Sequence, residues 1–120
     1  MYFNGKTLTA ILSDAATETK AAPAIAAARR RFTSPVAVVE TVLALGPAAD
    51  GTTADQRVQA FLDAAGIEIR DMPPSHRLIA AAAEGGTVPE VIDRACADYY
   101  EAEPFTLADL PAAAEKPSGA

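Results

Sequence analysis

Glu40 is the residue whose setting most calls for chemistry. It lies in Val36-Ala37-Val38-Val39-Glu40-Thr41-Val42-Leu43-Ala44-Leu45, a helical run that is apolar on nearly every side. A carboxylate there is costly unless it is paired, solvated in a cleft, or bound to a metal. Two readings stay open: a site carboxylate, or a member of one wet stripe beside Thr41. The other candidates stand apart. Arg29-Arg30-Arg31 is the basic run of the chain. It suits a helix C-terminus with solvated heads, or a contact to phosphate. His76 is a lone histidine in the first turn of a helix, a place where solvation is the usual state. Cys96 is the single cysteine, so no internal disulfide forms and no cysteine cluster offers a zinc site. Its place on an apolar helix face makes it a core residue. The sequence carries no Ser/His/Asp arrangement, glycine-rich phosphate loop or dinucleotide fingerprint.

The elements that position these residues follow from composition and punctuation. With 120 residues the chain supports one domain, expected over 1–110, with a disordered tail over 111–120. Half the residues are hydrophobic and lean on alanine, which favours helices. The net charge of −6 argues against a broad basic face and against a DNA partner, while leaving room for a local basic patch. No signal-like start and no bilayer-length apolar stretch is present, so a cytoplasmic location without a membrane partner is expected.

Tyr2-Phe3 reads as a short buried strand running into Asn4-Gly5. Helices are expected over Thr7–Leu12 and about Ala15–Arg30, the second broken or kinked at Pro23. Phe32-Thr33 is a short connection or second strand. Ser34-Pro35 opens the helix to Leu45 as N-cap and first-turn proline, and Gly46-Pro47 closes it. Thr52 and Asp55 form a capping box for a helix bearing Val58, Phe61, Leu62 and Ala65, stopped by Gly66. Ile67-Glu68-Ile69-Arg70 alternates like a strand with one covered face. Helices then run from His76 to Glu84 and from Pro89 toward Pro104, and Phe105-Thr106-Leu107 is a further strand candidate. Strands alternating with helices imply a parallel sheet with helices on both faces. In such sheets ligands sit outside the carboxyl ends of the strands. Asn4, just past the first strand, would face that crevice.

Two landmarks carry a family resemblance. Met1-Tyr2-Phe3-Asn4-Gly5-Lys6-Thr7-Leu8-Thr9-Ala10-Ile11-Leu12 resembles the opening of VapC-type PIN-domain ribonucleases, toxins of type II toxin–antitoxin systems. Arg29-Arg30-Arg31-Phe32-Thr33-Ser34-Pro35-Val36-Ala37-Val38-Val39-Glu40 is similar to their second landmark, a short strand, a small polar residue and a helix bearing a glutamate. Ala65-Gly66-Ile67-Glu68-Ile69 fits their next strand. The resemblance covers about the first seventy residues and weakens after His76.

The resemblance implies an α/β, PIN-like three-layer α/β/α fold with a short parallel sheet flanked by helices. It also implies three or four clustered acids holding Mg²⁺ or Mn²⁺, hard cations that take oxygen ligands. Such ions activate water and stabilise charge on a phosphodiester. By position, the family's acids fall on Asn4, Glu40, Ala95 and Asp109. Two of the four are therefore replaced. Catalytic positions are expected at Asn4, Glu40 and Asp109, and metal contacts at Glu40 and Asp109. Asp98, one turn beyond Ala95 on the same face, is one substitute for the missing acid. Asp93 is the other, although helix phase points it nearly opposite to position 95. Lys6 replaces a small residue of the family. It either places an ammonium near Glu40, in lieu of a metal's charge, or reaches to solvent. Arg29, Arg30 and Arg31 are the candidate RNA contacts. The implied partners are RNA, an antitoxin-like protein and a second copy of the chain. The lost acids and the acidic net charge raise the alternative of a non-catalytic PIN-like protein-binding module.

Overall fold

Tyr2 and Phe3 are hydrogen-bonded on both sides. The computed structural model describes residues 1–48 and 50–107. In it Tyr2 forms parallel bridges to Phe32 and to Pro104. The Phe3 amide donates to the Phe32 carbonyl (2.9 Å) and the Phe105 amide to the Tyr2 carbonyl (2.8 Å). Strand β1 (Phe32–Thr33) pairs in parallel with β2 (Glu68–Ile69), with Phe32 opposite Glu68. The extended segments thus lie in the order Pro104, Tyr2, Phe32, Glu68, all parallel, with the N-terminal segment inside. Among the described residues, β1 and β2 alone form a sheet.

Six helices surround them among the described residues: α1 (Gly5–Ser13), α2 (Ala15–Ala27), α3 (Pro35–Leu45), α4 (Ala54–Ala65), α5 (Ser75–Ala82) and α6 (Val88–Tyr99). The result is a mostly helical α/β unit. No helix among the described residues is long and apolar enough to cross a membrane.

Successive side chains of an extended segment point to opposite faces. Phe3 accordingly joins Leu8, Ile11, Ile25, Val58 and Leu62 in one cluster, and stacks on Phe105 at 4.8 Å. Tyr2 joins Phe32 and Cys96 of α6 in a second cluster. Burying a side chain such as Phe3 fully contributes roughly 1.5–3 kcal/mol. Cys96 is buried, as its place on an apolar helix face requires.

Several boundaries differ from the sequence reading. Pro23 lies inside α2 without dividing it, and α2 stops at Ala27, three residues short of Arg30. The N-cap of α4 is Thr53, not Thr52; the Thr53 amide donates to Gln56 Oε1 (3.1 Å), while the Thr52 amide is taken by Asp50 (2.9 Å). Both residues of β2 are exposed, Ile69 at 41%, because β2 is an edge of the sheet. Pro104 does not end α6, which stops at Tyr99; Phe105-Thr106-Leu107 forms no strand, and Pro104 makes the bridge instead. Asp109, the boundary at 110 and the tail 111–120 lie outside the described residues.

Candidate functional site

Glu40 lies against the start of α1. A Cβ added to Gly5 would overlap Glu40 Oε1 and come 2.7 Å from its Cδ and 2.9 Å from its Cβ. Glycine at the first position of α1 is what lets α3 carry a glutamate there. Asn4 is the N-cap of α1, its Oδ1 accepting from the Thr7 amide at 2.8 Å. A carboxylate beside a helix N-terminus is favoured by the unpaired amides and the helix dipole. Asparagine and aspartate cap helices about equally well. An asparagine at position 4 therefore caps the helix start without bringing a negative charge.

The opposite wall comes from α6. Asp93 Oδ1 accepts from the Tyr2 hydroxyl at 2.7 Å, and that hydroxyl also meets Ser34 Oγ at 2.9 Å. Tyr2 has one hydroxyl proton and gives it to Asp93, so the Ser34 hydroxyl supplies the proton of the second bond. Ser34 in turn caps α3, accepting from the Ala37 amide at 3.1 Å. Tyr2 is only 1% exposed. Its hydroxyl thus ties the cap of the Glu40 helix to the carboxylate of α6 across the buried interior.

Burial pushes the Asp93 carboxyl above its usual range; the Tyr2 hydrogen bond opposes this, and the negative charges of Glu40 and Glu90 add to it. Burial likewise pushes the Tyr2 hydroxyl well up and the Cys96 thiol up to about 11. Glu90 is held below the usual carboxylate range by the Thr87 cap, with Lys6 and Arg94 contributing. Lys6 is exposed, and its charge helps to lower the Glu90 carboxyl on α6. Tyr2, Asn4, Glu90 and Asp93 line one open cleft of about 830 Å³.

The structure therefore brings Asn4 and Asp93 together in this cleft, with Glu40 close enough to raise the Asp93 carboxyl. Position 95 is on another side of α6. Ala95 is buried and lines a groove against Ala81 of α5. Asp98 also lines the cleft, at its exposed rim: it is 82% exposed, with Arg77 at 3.4 Å. The three arginines part company. Arg29 is exposed, Arg30 donates to the Tyr100 carbonyl (2.7 Å), and Arg31 donates to the Ile25 carbonyl at the end of α2 (3.2 Å). His76 is exposed.

Sequence reasoning passed over the Tyr2 hydroxyl and Glu90. Glu90, Asp93 and Ala97 recur at i, i+3 and i+7, which marks one stripe of α6 as the cleft face.

The oxygen donors suit a hard divalent cation, since Mg²⁺ is commonly held by one or two carboxylates with water completing the shell. They are few. Among the described residues no three His, Cys, Asp or Glu side chains gather closely enough to hold a metal ion. No known protein family, curated protein or solved structure matches this chain significantly.

Proposed function

We propose that the chain is a PIN-like protein of the VapC type, related to Mg²⁺- or Mn²⁺-dependent endoribonucleases, with a reduced acidic site and weakened catalysis. The observation that carries this reading is that Asn4 and Asp93 line one cleft, with Glu40 of α3 near enough for its charge to push the Asp93 carboxyl up. The parallel order, with Tyr2 inside between Pro104 and Phe32, agrees with it, as do the two apolar clusters formed by Phe3 and Tyr2 on opposite faces.

A bound divalent ion would supply activation of water and charge neutralisation at a phosphodiester. Glu40 and Asp93 would hold it, with the Asn4 carbonyl oxygen beside them. The chain's own work is positional. Gly5 lets Glu40 sit over α1, and Tyr2, itself bonded to Ser34, fixes Asp93 directly. With two carboxylates the cleft holds a cation less tightly than three or four would.

The test is cleavage of a mixed set of RNAs in Mg²⁺ or Mn²⁺, with Glu40→Ala as control. Weak cleavage that the variant abolishes supports the reading. Cleavage that survives the substitution removes Glu40 from the site and overturns it.

A second reading, a non-catalytic binding module, is favoured by Val39, Leu43, Ile79 and Val88, which are 57%, 80%, 70% and 72% exposed. Such apolar exposure on α3, α5 and α6 suits an antitoxin-like helix or a second copy of the chain. Under this reading no RNA is cleaved at any metal concentration, and the folded chain self-associates or captures a partner helix.

A further inference from the structure

A continuous ladder of guanidinium groups and rings runs along the side of α6 and the β2 edge. The Arg77 guanidinium lies 5.2 Å from the Tyr99 ring centre. Tyr99 meets Tyr100 edge-on at 5.0 Å. Arg70 lies over both Tyr100 (5.2 Å) and Phe32 (5.0 Å). Arg30 lies over Phe32 at 5.8 Å. Three arginines are therefore interleaved with three rings, in the order Arg77, Tyr99, Tyr100, Arg70, Phe32, Arg30, at steps of 5.0–5.8 Å.

We infer that this ladder is a binding track for single-stranded RNA, with Tyr99 as a stacking platform and Arg30, Arg70 and Arg77 as phosphate contacts. It uses a surface that the acidic cleft does not. The choice of RNA rests on the functional reading above; the stacking chemistry does not.

Single strands are bound where cations that follow the backbone are interleaved with aromatic faces. Arginine suits both tasks, because its planar fork pairs with phosphate and stacks on rings. The track also resolves a difficulty of charge. A chain of net charge −6 whose cleft is lined by carboxylates repels a polyanion at that cleft. The ladder supplies a place where a strand can be held beside it.

Packing alone accounts for one end of the ladder and not the other. Phe32 is buried, and Arg70 and Arg30 cover it. Arg77, however, belongs to α5, a helix with no buried residue, and Tyr99 is 39% exposed. Their stacking serves no core. Glu68 pairs with Arg70 at 2.8 Å, and Asp98 with Arg77 at 3.4 Å. Both carboxylates are largely exposed, at 64% and 82%, so these pairs are weak and open to exchange for phosphate.

The experiment is fluorescence anisotropy of the full chain with a labelled uridine oligonucleotide of about ten bases, in EDTA so that no metal bridges the cleft. Three phosphate contacts predict a slope of log affinity against log salt of about −2, from about 0.7 per contact on a single strand. Tyr99→Ala weakens binding at least about fivefold through lost stacking. Arg77→Ala flattens the slope by about 0.7, and Arg77→Glu abolishes binding at moderate salt. Thermal unfolding of each variant checks that the fold is kept. Absence of binding at low salt overturns the inference, as does binding that Tyr99→Ala and Arg77→Glu leave unchanged. Equal affinity for heparin or duplex RNA overturns it in favour of a general polyanion surface. Because no metal is present, failure here is distinct from failure of the cleavage test.

Discussion

Gly5→Ala puts the packing of α1 on α3 to a direct test. Glycine at the start of a helix is ordinarily a weakness, and alanine there would stabilise by roughly 0.5–1 kcal/mol. The surroundings of Gly5 reverse that sign. The new methyl group would overlap Glu40 Oε1 and stand 2.7 Å from Cδ and 2.9 Å from Cβ. The carboxylate end can swing away, but the Glu40 Cβ is fixed by the backbone of α3, so the two helices must part. Inserting a methyl into such a contact costs about 1–3 kcal/mol. After the helix gain is subtracted, a net loss of about 1–2 kcal/mol remains. Urea unfolding of the parent, Gly5→Ala, Glu40→Ala and the double variant would measure it. Truncating Glu40 leaves only the Cβ contact, so the double variant recovers part of the loss and the cycle shows coupling of about 1 kcal/mol. A Gly5→Ala protein as stable as the parent or more so, with no coupling to Glu40, would refute the placement of Glu40 over α1.

Two further outcomes follow from the Tyr2 network. Tyr2→Phe leaves Asp93 without its hydroxyl donor and is expected to cost about 1–3 kcal/mol, with the Asp93 carboxyl moving further up; unfolding and carboxyl NMR titration read both, and an unchanged carboxyl would disconnect Tyr2 from Asp93. For pH dependence, burial holds the Asp93 carboxyl in the folded chain above the ordinary aspartate range, so the native state holds the proton more tightly. That contribution is complete below the unfolded value and is lost as pH rises through the folded one. Asp93→Asn cannot titrate, so its stability relative to the parent should rise as pH increases from the ordinary aspartate range through the raised value of Asp93. The lowered carboxyls of Asp14, Asp50 and Glu90 are common to both proteins and cancel in the comparison. A flat difference would mean that Asp93 is not desolvated.

What the sequence made legible is local. Ser34-Pro35 opens α3 as read, because cap and first-turn proline act within one turn. Gly66 stops α4 in the left-handed region at φ 68°. The burial of Cys96 followed from helical spacing. The missed features depend on distant partners. Whether Ile69 is covered depends on what packs over β2, and it stays 41% exposed. Pro104 reads as a helix stop until the main chain of Tyr2 offers it a place in the parallel layer. The phase of α6 decided the site. Helix phase set Asp93 nearly opposite position 95, as it is, but did not say which side meets the cleft; packing against Tyr2 and Phe32 turns Asp93 to the cleft and Ala95 to α5. A hydroxyl bond between residues 2 and 93 leaves no trace in local sequence.

The central claim is that the cleft is an acidic metal site reduced in charge at position 4. Metal-dependent RNA cleavage by the Asn4→Asp variant, set against the parent chain, tests it most directly. Aspartate keeps the cap to the Thr7 amide and adds a third carboxylate to Glu40 and Asp93. The account predicts a folded variant that binds Mn²⁺ more tightly and cleaves RNA faster than the parent, with Glu40→Ala cancelling the gain. A folded variant with unchanged Mn²⁺ affinity and no gain in cleavage would contradict it.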